Sequence, residues 1–342
     1  MKNKTVDAPL AITNEQGVTW SSIIIVILIL IIAGGVFWYF TRGGENQTVN
    51  DTVVIENGSS SDEELGVIKF SFTNLAPLSS GHYEVWLELD SDEKKSLGSF
   101  QINENRELMD LGGNTIKGNS FKTPDLGERT IEKVFVSVEP NDDSDEASSA
   151  IVVLSGNMSQ NIANLSFNAV RLGNASGKYV LATPTNDPLE TETSGAWFFI
   201  PGAVTERPSL VIPELTSGWK YEGWVFHQGE FLSTGRFSKA RGSDDFSSYS
   251  DDASSAPSFP GEDFLKNPPH GFGFDFPINL ADGNSMVLIT IEPDIDGADP
   301  TGNSPFMIQP FISKISKDAK DHELFDLTKD LSRFPTGLVE IL

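Results

Sequence analysis

The apolar residues of the chain occur in two different patterns, and the first is a single long run near the N-terminus. No residue from Gln16 to Thr41 is charged, and the apolar centre, 23–40, is 18 residues long. As an α-helix this centre would span about 27 Å, close to the thickness of the hydrocarbon core of a bilayer. Because lipid offers the backbone no hydrogen bonds, even this β-branched run is predicted to be helical there. We therefore predict a transmembrane helix over residues 21–41.

A cleaved signal peptide is the alternative interpretation of this run. A polar stretch about 20 residues long precedes it, and its small residues, 33–35, are followed by further apolar residues rather than by a turn. Both features favour an uncleaved anchor. Lys2 and Lys4 lie before the helix and Arg42 lies after it. The positive-inside rule then predicts a short cytoplasmic tail, 1–20, and a single-pass protein of the cell membrane with extracytoplasmic C-terminal domains.

The second pattern begins after a stalk, 42–63, that is rich in Gly, Asn, Ser and acidic residues and is predicted to be flexible. From residue 64 onward, short apolar runs with alternating polar positions are separated by turn residues. A period of two places every second side chain on one face of a β-strand. Together with 30 Gly, 19 Pro and 23 Phe in the chain, this pattern predicts an all-β fold.

Two stretches of this β region repeat the same motifs in the same order. The motifs of the first are Gly81-His-Tyr83-Glu84-Val-Trp86, Gly98-Ser-Phe100 and Val134-Phe-Val-Ser-Val-Glu139-Pro140, and those of the second are Gly218-Trp-Lys-Tyr221-Glu222-Gly-Trp224, Gly235-Arg-Phe237 and Val287-Leu-Ile-Thr-Ile-Glu292-Pro293. A weaker match joins 177–181 to 337–342. We therefore predict two tandem β-sandwich domains, 64–185 and 190–342. Residues 178–183 are compatible with either copy.

Aromatic residues mark the expected core positions. The Tyr-x-x-Trp spacing places Tyr83 and Trp86 on opposite faces of one strand, so that one ring fills the core and the other covers a neighbouring strand. The second copy is longer because of an insertion, 238–277, that is rich in Ser, Asp, Gly and Pro. This insertion also carries many aromatic residues, which predict a packed loop rather than a disordered one.

The net charge of the chain is strongly negative. The formal value is −25, and residues 1–41 contribute none of it, because two lysines there offset two acidic residues. A domain of this charge repels nucleic acid and anionic headgroups, and it attracts cations and basic partners. Solubility explains the same charge more simply and is the favoured interpretation. The chain has no cysteine, which excludes disulfides, thiol catalysis and zinc–thiolate sites.

The first copy surrounds the repeated motifs with further ones. In order they are Leu75-Ala-Pro-Leu78, the Tyr-Glu-x-Trp motif, the Gly-x-Phe motif, the Glu-Pro strand end and Val152-Val-Leu-Ser-Gly156. This set resembles the extracytoplasmic C-terminal domain of anti-sigma-K factors of the RskA type, over 64–156 and more loosely over the second copy. The resemblance implies an RskA-like outer module with a role in envelope signalling. The sigma-binding cytoplasmic domain of that family is not expected, since about 20 residues before the helix are too few to fold into it.

The acidic turn after the second Glu-Pro motif is the candidate metal site. Asp294, Asp296 and Asp299 alternate around a glycine, and calcium binds carboxylate oxygens presented in this way. The turn lacks the bidentate Glu that closes an EF-hand loop, and Asp and Gly are also ordinary turn residues. The corresponding turn of the first copy, 141–146, and the segment 261–264 are weaker candidates. Calcium is the one cofactor considered, and no other is expected.

Catalytic motifs are missing from the sequence. The four histidines form no metal-binding pair, and there is no nucleophile elbow, phosphate-binding loop or dinucleotide fingerprint. We therefore expect a protein that is not an enzyme. The favoured hypothesis is a binding or sensing module for an unidentified protein or envelope partner. The alternatives are a structural cell-surface protein that uses the repeat as a spacer or lattice unit, and an enzyme on envelope polymers, for which no carboxylate spacing argues.

Overall fold

The computed structural model of the protein describes residues 66–143, 147–186, 192–268, 271–294 and 300–342, and most of its regular structure is β-strand. In chain order the strands are β1 (Val67–Thr73), β2 (His82–Leu89), β3 (Lys94–Ile102), β4 (Leu108–Met109), β5 (Ser120–Lys122), β6 (Ile131–Glu139), β7 (Val152–Asn157), β8 (Ile162–Ser166), β9 (Gly177–Leu181), β10 (Gly195–Trp197), β11 (Phe199–Ile200), β12 (Arg207–Pro208), β13 (Trp219–His227), β14 (Glu230–Phe237), β15 (Gly261–Asp263), β16 (Met286–Pro293), β17 (Phe311–Lys314), β18 (Leu324–Lys329) and β19 (Thr336–Ile341). Short 3-10 helices occur at Lys117–Asn119, Glu192–Ser194 and Ala253–Ser255. The predicted all-β fold is confirmed.

The N-terminal segments were predicted from sequence alone. The tail 1–20, the transmembrane helix 21–41 and the stalk 42–63 all lie outside the described residues. Within the described ranges, no helix is both long enough and apolar enough to cross a membrane. The anchor therefore stays a prediction.

The first sheet, as far as the chain is described, has nine antiparallel strands in the order β4-β3-β2-β6-β7-β8-β19-β1-β5. It curls over on itself. Phe72 of β1 stacks on Phe100 of β3 with ring centroids 5.4 Å apart, although these strands are distant in that order. Phe121 of β5 packs edge-on against the same ring at 6.3 Å. A sheet curled in this way buries one face of its strands in a common core, as the two layers of a sandwich do.

The second sheet has eight described strands in the order β14-β13-β16-β17-β18-β9-β10-β15, again antiparallel. Two carboxylates in the loop after β14 contact both edge strands of this sheet, β14 and β15. Asp244 accepts the backbone N–H of Gly261 in β15 at 2.8 Å, and Asp245 accepts the backbone N–H of Arg236 in β14 at 2.7 Å. The second sheet is thus curled like the first. Strands β11 and β12 form a separate small ribbon.

The two sheets have the same strand order, and the comparison shows that the copies exchange their last strands. The hairpin β2–β3 and its neighbour β6 correspond to β13–β14 and β16, and β1 and β5 correspond to β10 and β15. Between β8 and β1, however, lies β19 from the C-terminus of the chain. In the equivalent place between β18 and β10 lies β9 from the middle of the chain. Each copy therefore completes the sheet of the other.

The sheets do not follow the expected boundaries at 64–185 and 190–342. Strand β9 falls in the first of these ranges but pairs in the second sheet, and β19 does the reverse. The sequence does not predict this arrangement because β9 and β19 pack against their neighbouring strands in a similar way. A Cβ on Gly177 would lie 2.9 Å from Leu327, and a Cβ on Gly337 would lie 3.3 Å from Leu165. Because both strands have a glycine near their start that packs against a leucine of the neighbouring strand, their sequence match does not reveal which sheet takes which strand.

The two sheets also pack directly against each other. Trp219 of β13 lies edge-on to Phe167 with ring centroids 5.2 Å apart, and its ring lies 5.9 Å from that of Phe306. At the same junction, the backbone N–H and the hydroxyl of Ser79 both donate to the carbonyl oxygen of Pro300 at 2.8 Å. Together with the exchanged strands, these contacts join the described residues into one compact unit.

Replacing Val339 with alanine tests the strand exchange. Val339 is fully buried in β19, and the cavity left by its missing methyl groups should cost about 2 kcal/mol of unfolding free energy. Because β19 pairs with β1 and β8, hydrogen–deuterium exchange should accelerate in those strands of the first sheet. Leu342→Ala, at an exposed position near the same terminus, is the control and should leave the exchange rates unchanged. Acceleration confined to β18 and β10 would contradict the arrangement.

Candidate functional site

The Tyr-Glu-x-Trp motif places side chains on both faces of the central strand of each sheet. In β2, Tyr83 points into the core and stacks on Phe100 with ring centroids 5.3 Å apart. Trp86 lies on the other face, parallel to Phe135 of β6 at 6.2 Å. The prediction that the two rings occupy opposite faces is confirmed. Glu84 shares the face of Trp86, because residues two apart in a strand point the same way.

A chain of three buried polar groups runs along that second face in both sheets. In the first sheet, the indole N–H of Trp86 donates to the hydroxyl of Ser137 at 2.9 Å, and this hydroxyl donates to the carboxylate of Glu139. In the second sheet, the indole N–H of Trp224 donates to Thr290 at 2.9 Å, and Thr290 donates to the carboxylate of the second Glu-Pro motif. Since these groups are shielded from water, each depends on the next for its hydrogen bond.

The carboxylates that end these chains are satisfied to different degrees. Glu139 accepts the backbone N–H of Ser149 at both of its oxygens, at 3.0 and 3.1 Å. Its counterpart, Glu292, accepts the backbone N–H of Phe306 at 2.9 Å with one oxygen, while the other is buried without a hydrogen-bond partner among the described residues. Burial, and then the neighbouring charge of Glu222, raise the pKa of Glu292 to about 8. Glu292 is therefore mostly protonated at neutral pH.

A second glutamate stands beside each chain, next to a β-bulge that the two hairpins share. Ser96 donates to one oxygen of Glu84, and Ser233 donates to one oxygen of Glu222 at 2.5 Å. The glycine of the Gly-x-Phe motif lies at the same bulge, where Gly98 has a φ of 142°. Residues with a side chain rarely adopt that conformation, so the bulge requires this glycine.

The two sheets differ in what faces the other oxygen of that glutamate. In the second sheet, Arg236 lies opposite Glu222 in the strand register and donates its Nε–H to that oxygen at 2.9 Å. In the first sheet, the residue opposite Glu84 is Ser99. The first sheet therefore presents the same carboxylate without the guanidinium.

The basic residue before the tyrosine differs as well. In the second copy this residue is Lys220, whose ammonium lies 3.1 Å from the carboxylate of Asp294. In the first copy it is His82, whose side chain is buried and makes no hydrogen bond to any residue that the structure describes. At these two positions the first sheet thus has a histidine and a serine where the second sheet has a lysine and an arginine.

An open cleft of ≈ 630 Å³ lies over this part of the first sheet. Its walls include Glu84, His82 and Trp86, and its rim includes Leu111, whose side chain is 55% exposed. On the second sheet, Lys220 and Arg236 line a smaller space of ≈ 300 Å³, and neither Glu222 nor Trp224 is part of its lining. Most residues that line the cleft of the first sheet are polar or charged, and Trp86 and Leu111 are its apolar members, so the lining suits a polar or charged ligand.

The two lysines at the cleft have other partners. The ammonium of Lys94 lies over the ring of Phe135, 5.4 Å from its centroid. Lys95 donates to the carbonyl oxygen of Asp125 at 2.9 Å. Neither lysine forms a salt bridge with Glu84 in the described part of the chain.

Glu84 is consequently a buried carboxylate without an ion pair to lysine or arginine among the described residues. Its relative exposure is 9%. Burial raises its pKa and the negative charge of Glu139 adds to this shift, while the hydrogen bond from Ser96 and the neighbouring His82 oppose it. A ligand with a positive group would offset the cost of keeping this carboxylate ionised away from water. The arrangement is suited to binding a cation-bearing group.

The structure describes one of the three predicted calcium ligands. Asp294 pairs with Lys220, so an ammonium already neutralises it, and Asp296 and Asp299 lie outside the described residues. The weaker candidate at 141–146 is described only as far as residue 143. No group of three acidic or histidine side chains in the described ranges is placed to hold a metal ion. Calcium binding at the turn stays a prediction.

The insertion 238–277, where described, is packed around its aromatic residues, as the sequence predicted. Tyr249, Phe259 and Phe264 are buried, and Tyr249 stacks on Phe276 with ring centroids 5.7 Å apart. The insertion is therefore part of the core of the second sheet. Its deletion would remove part of that core.

The third acidic segment, 261–264, holds the insertion in place. Glu262 accepts the hydroxyl of Ser250, and Asp263 accepts the indole N–H of Trp197 at 2.6 Å and the backbone N–H of Thr185 at 2.8 Å. Burial raises the pKa of Glu262 to about 8 and that of Asp263 to about 6. Because internal donors occupy both side chains, we assign them a structural role.

Sequence reasoning missed the carboxylate that faces the cleft. Glu84 and Glu222 occupy the same position of the repeat, so the repeat alone does not distinguish the two glutamates. The informative signal was the residue between Gly and Phe of the next motif, Ser99 in one copy and Arg236 in the other. The strand register shows that each of these residues lies opposite its glutamate, which the motif alone does not indicate.

The buried carboxylates of the second sheet predict that stability falls as the pH rises. The pKa is raised to about 8 for Glu292 and Glu262 and to about 7 for Asp244, against about 4 in an unfolded chain. Between these values the folded state binds more protons than the unfolded state, so the unfolding free energy decreases from about pH 4 to about pH 8. The thermal midpoint should be lower by about 5 °C or more at pH 8.5 than at pH 5.5.

Glu292→Gln isolates one of these groups. Glutamine keeps the shape of the protonated acid but does not ionise, so the thermal midpoint of this variant should depend less on pH than that of the wild type. Glu323→Gln, at an exposed position, is the matched control and should follow the wild type. A midpoint that rises from pH 5.5 to 8.5, or a Glu292→Gln profile identical to the wild type, would refute the assignment.

Comparison with family models, with curated proteins and with solved structures gives no match. The resemblance to the outer domain of anti-sigma-K factors therefore depends on the sequence motifs alone. Those motifs contain the core tyrosine, the bulge glycine and the Trp–hydroxyl–carboxylate chain that join neighbouring strands.

Proposed function

We propose that this chain is a membrane-anchored, extracytoplasmic binding protein, without catalytic activity, whose recognition surface is the cleft of the first sheet. The observation that carries the proposal is the buried carboxylate of Glu84 at an open cleft, in a position that the second sheet neutralises with its own Arg236. In line with the RskA-like motifs, the protein acts in envelope signalling. Residues 21–41 hold it in the membrane, and each curled sheet is one β-sandwich domain.

The chemistry of the cleft supports a basic polypeptide segment as the ligand. The net charge of −25 attracts such a segment over a distance of about a Debye length. Glu84 supplies the buried charge, and the exposed Leu111 and the wall formed by Trp86 supply apolar surface for the rest of the segment. These two apolar residues lie among polar and charged ones, so the cleft suits a segment whose side chains are mostly polar.

The strand exchange argues against the structural alternative. A spacer or lattice repeat grows by adding units that each contact the next one. Here the last strand, β19, returns to the first sheet and β9 passes into the second. The pair is therefore closed on itself, and a third copy would have no open position between strands to fill.

Glu84→Gln tests the recognition surface. The variant removes the buried charge with little change of shape, so it should weaken binding of a short peptide of alternating lysine and arginine by about tenfold or more. The measurement is fluorescence anisotropy with the full-length chain at physiological salt. Glu104→Gln, in an exposed turn, changes the net charge equally and should bind as the wild type does. Equal affinity of the two variants would show that the peptide senses net charge only, and the proposed surface would be wrong.

Protease accessibility in intact cells tests the proposed topology. A tag at the C-terminus should be digested by external protease, because the positive-inside rule places the β region outside. A tag at the N-terminus should be digested only after the membrane is permeabilised, which serves as the control for tag cleavability. Protection of the C-terminal tag in intact cells would overturn the extracytoplasmic assignment.

A further inference from the structure

We propose that the group recognised in the first cleft is the guanidinium of an arginine side chain, carried by a basic segment of a partner protein. It would occupy the place that Arg236 fills in the second sheet. This inference rests on the proposed function, because it names the ligand of the same cleft. The contacts of Arg236 in the second sheet then indicate how a bound guanidinium would be held in the first sheet.

The strand register makes the two sites comparable residue by residue. Glu84 pairs with Ser99 across β2 and β3, and Glu222 pairs with Arg236 across β13 and β14. Both hairpins carry a bulge at the same place, so the side chains at these positions leave the sheet on the same face. The short side chain of Ser99 leaves the position of the guanidinium open.

The acceptors that hold the guanidinium of Arg236 have counterparts in the first sheet. Arg236 donates from Nε to an oxygen of Glu222 at 2.9 Å and from Nη1 to the carbonyl oxygen of Pro293 at 3.4 Å. In the first sheet, Glu84 and the carbonyl of Pro140 occupy the corresponding positions of the repeat, and this carbonyl also accepts the backbone N–H of Asp143 at 3.3 Å. One oxygen of Glu84 is engaged by Ser96, as one oxygen of Glu222 is engaged by a serine, and its other oxygen accepts no hydrogen bond within the described residues.

The histidine at the cleft offers a further group to the same ligand. His82 is 8% exposed and lines the cleft, and its side chain makes no hydrogen bond to a described residue. Its ring nitrogens are not among the described buried atoms that lack a partner, so they are accessible from the cleft. A guanidinium has five N–H donors, enough to serve the carboxylate, the Pro140 carbonyl and an imidazole nitrogen together.

The geometry of the acceptors favours arginine over lysine and over a metal ion. A carboxylate oxygen and a carbonyl oxygen at separate points suit the planar fork of a guanidinium, whereas an ammonium is a compact and strongly hydrated point charge. Metal ions require several anionic or imidazole ligands, and the described residues provide no group of three. The cationic side chain that the second sheet uses at this position is itself an arginine.

Peptide selectivity tests the inference without any change to the protein. Two peptides of otherwise identical sequence, one with arginine and one with lysine at a central position, are titrated into the full-length chain by fluorescence anisotropy. The arginine peptide should bind about tenfold or more tightly than the lysine peptide, because the fork makes two hydrogen bonds where the ammonium makes one. A version with uncharged citrulline should bind more weakly than either.

Ser99→Arg supplies the guanidinium from within the chain. The new side chain should occupy the cleft as Arg236 occupies the second site, so the arginine peptide should bind at least about tenfold more weakly while the thermal midpoint stays at or above that of the wild type. Ser71→Arg, at an exposed position of β1, adds the same charge and should leave binding unchanged. Unchanged binding by a folded Ser99→Arg variant would overturn the inference.

The outcomes separate this inference from the proposed function. Equal binding of the arginine and lysine peptides, with both lost in Glu84→Gln, would leave the basic-segment site in place and refute its arginine selectivity. Binding that Glu84→Gln does not weaken would refute both. Displacement of the arginine peptide by calcium, with the displacement abolished by Glu84→Gln, would reassign the cleft to a metal ion. Should Ser99→Arg not fold, the arginine-to-lysine ratio measured on the wild type still decides the question.

Discussion

The reciprocal exchange of β9 and β19 is the constraint on which the rest of the structure depends. Without the exchanged strand, each curled sheet would have a gap between two strands, and the unpaired N–H and C=O groups along the gap would cost free energy. The second sheet is formed by strands of one continuous stretch, from β9 to β18, whereas the first sheet is complete only when β19 has been added after them. The stability of the two sheets is therefore coupled. The junction of Trp219 with Phe167 and Phe306 adds direct packing to this coupling.

The repeat permits a comparison within a single molecule. Both sheets keep the inward tyrosine, the bulge, and the chain from indole through hydroxyl to carboxylate. They differ in charge compensation, since Glu222 has Arg236 opposite it and Glu84 has Ser99. What is common to the copies is therefore what the fold requires, and what differs is free to serve recognition. Fold-level resemblance alone would not have separated these two sets of residues.

The features predicted correctly from sequence are those decided by local pattern. Period-two alternation indicates strands, the Tyr-x-x-Trp spacing places Tyr83 and Trp86 on opposite faces, and the aromatic content of 238–277 indicates packing. The exchange could not be predicted, because 177–181 and 337–342 match each other and suit either sheet. Nor could the polar chain, since Trp86 and Ser137 meet only through the register of strands that are distant in sequence. Register depends on the full set of neighbours, which a motif does not contain.

Solubility accounts for the overall acidity of the chain, but it does not account for Glu84. A charge that serves solubility is effective where water reaches it, as at the exposed Glu104. Glu84 is 9% exposed and beside a second buried carboxylate, so its charge destabilises the fold unless something compensates it. In the second sheet, Arg236 forms an ion pair with the equivalent glutamate, and the first sheet has no arginine at that position. Local costs of this kind occur mainly where a protein contacts something else, and the open cleft over Glu84 is the place where that contact can be made.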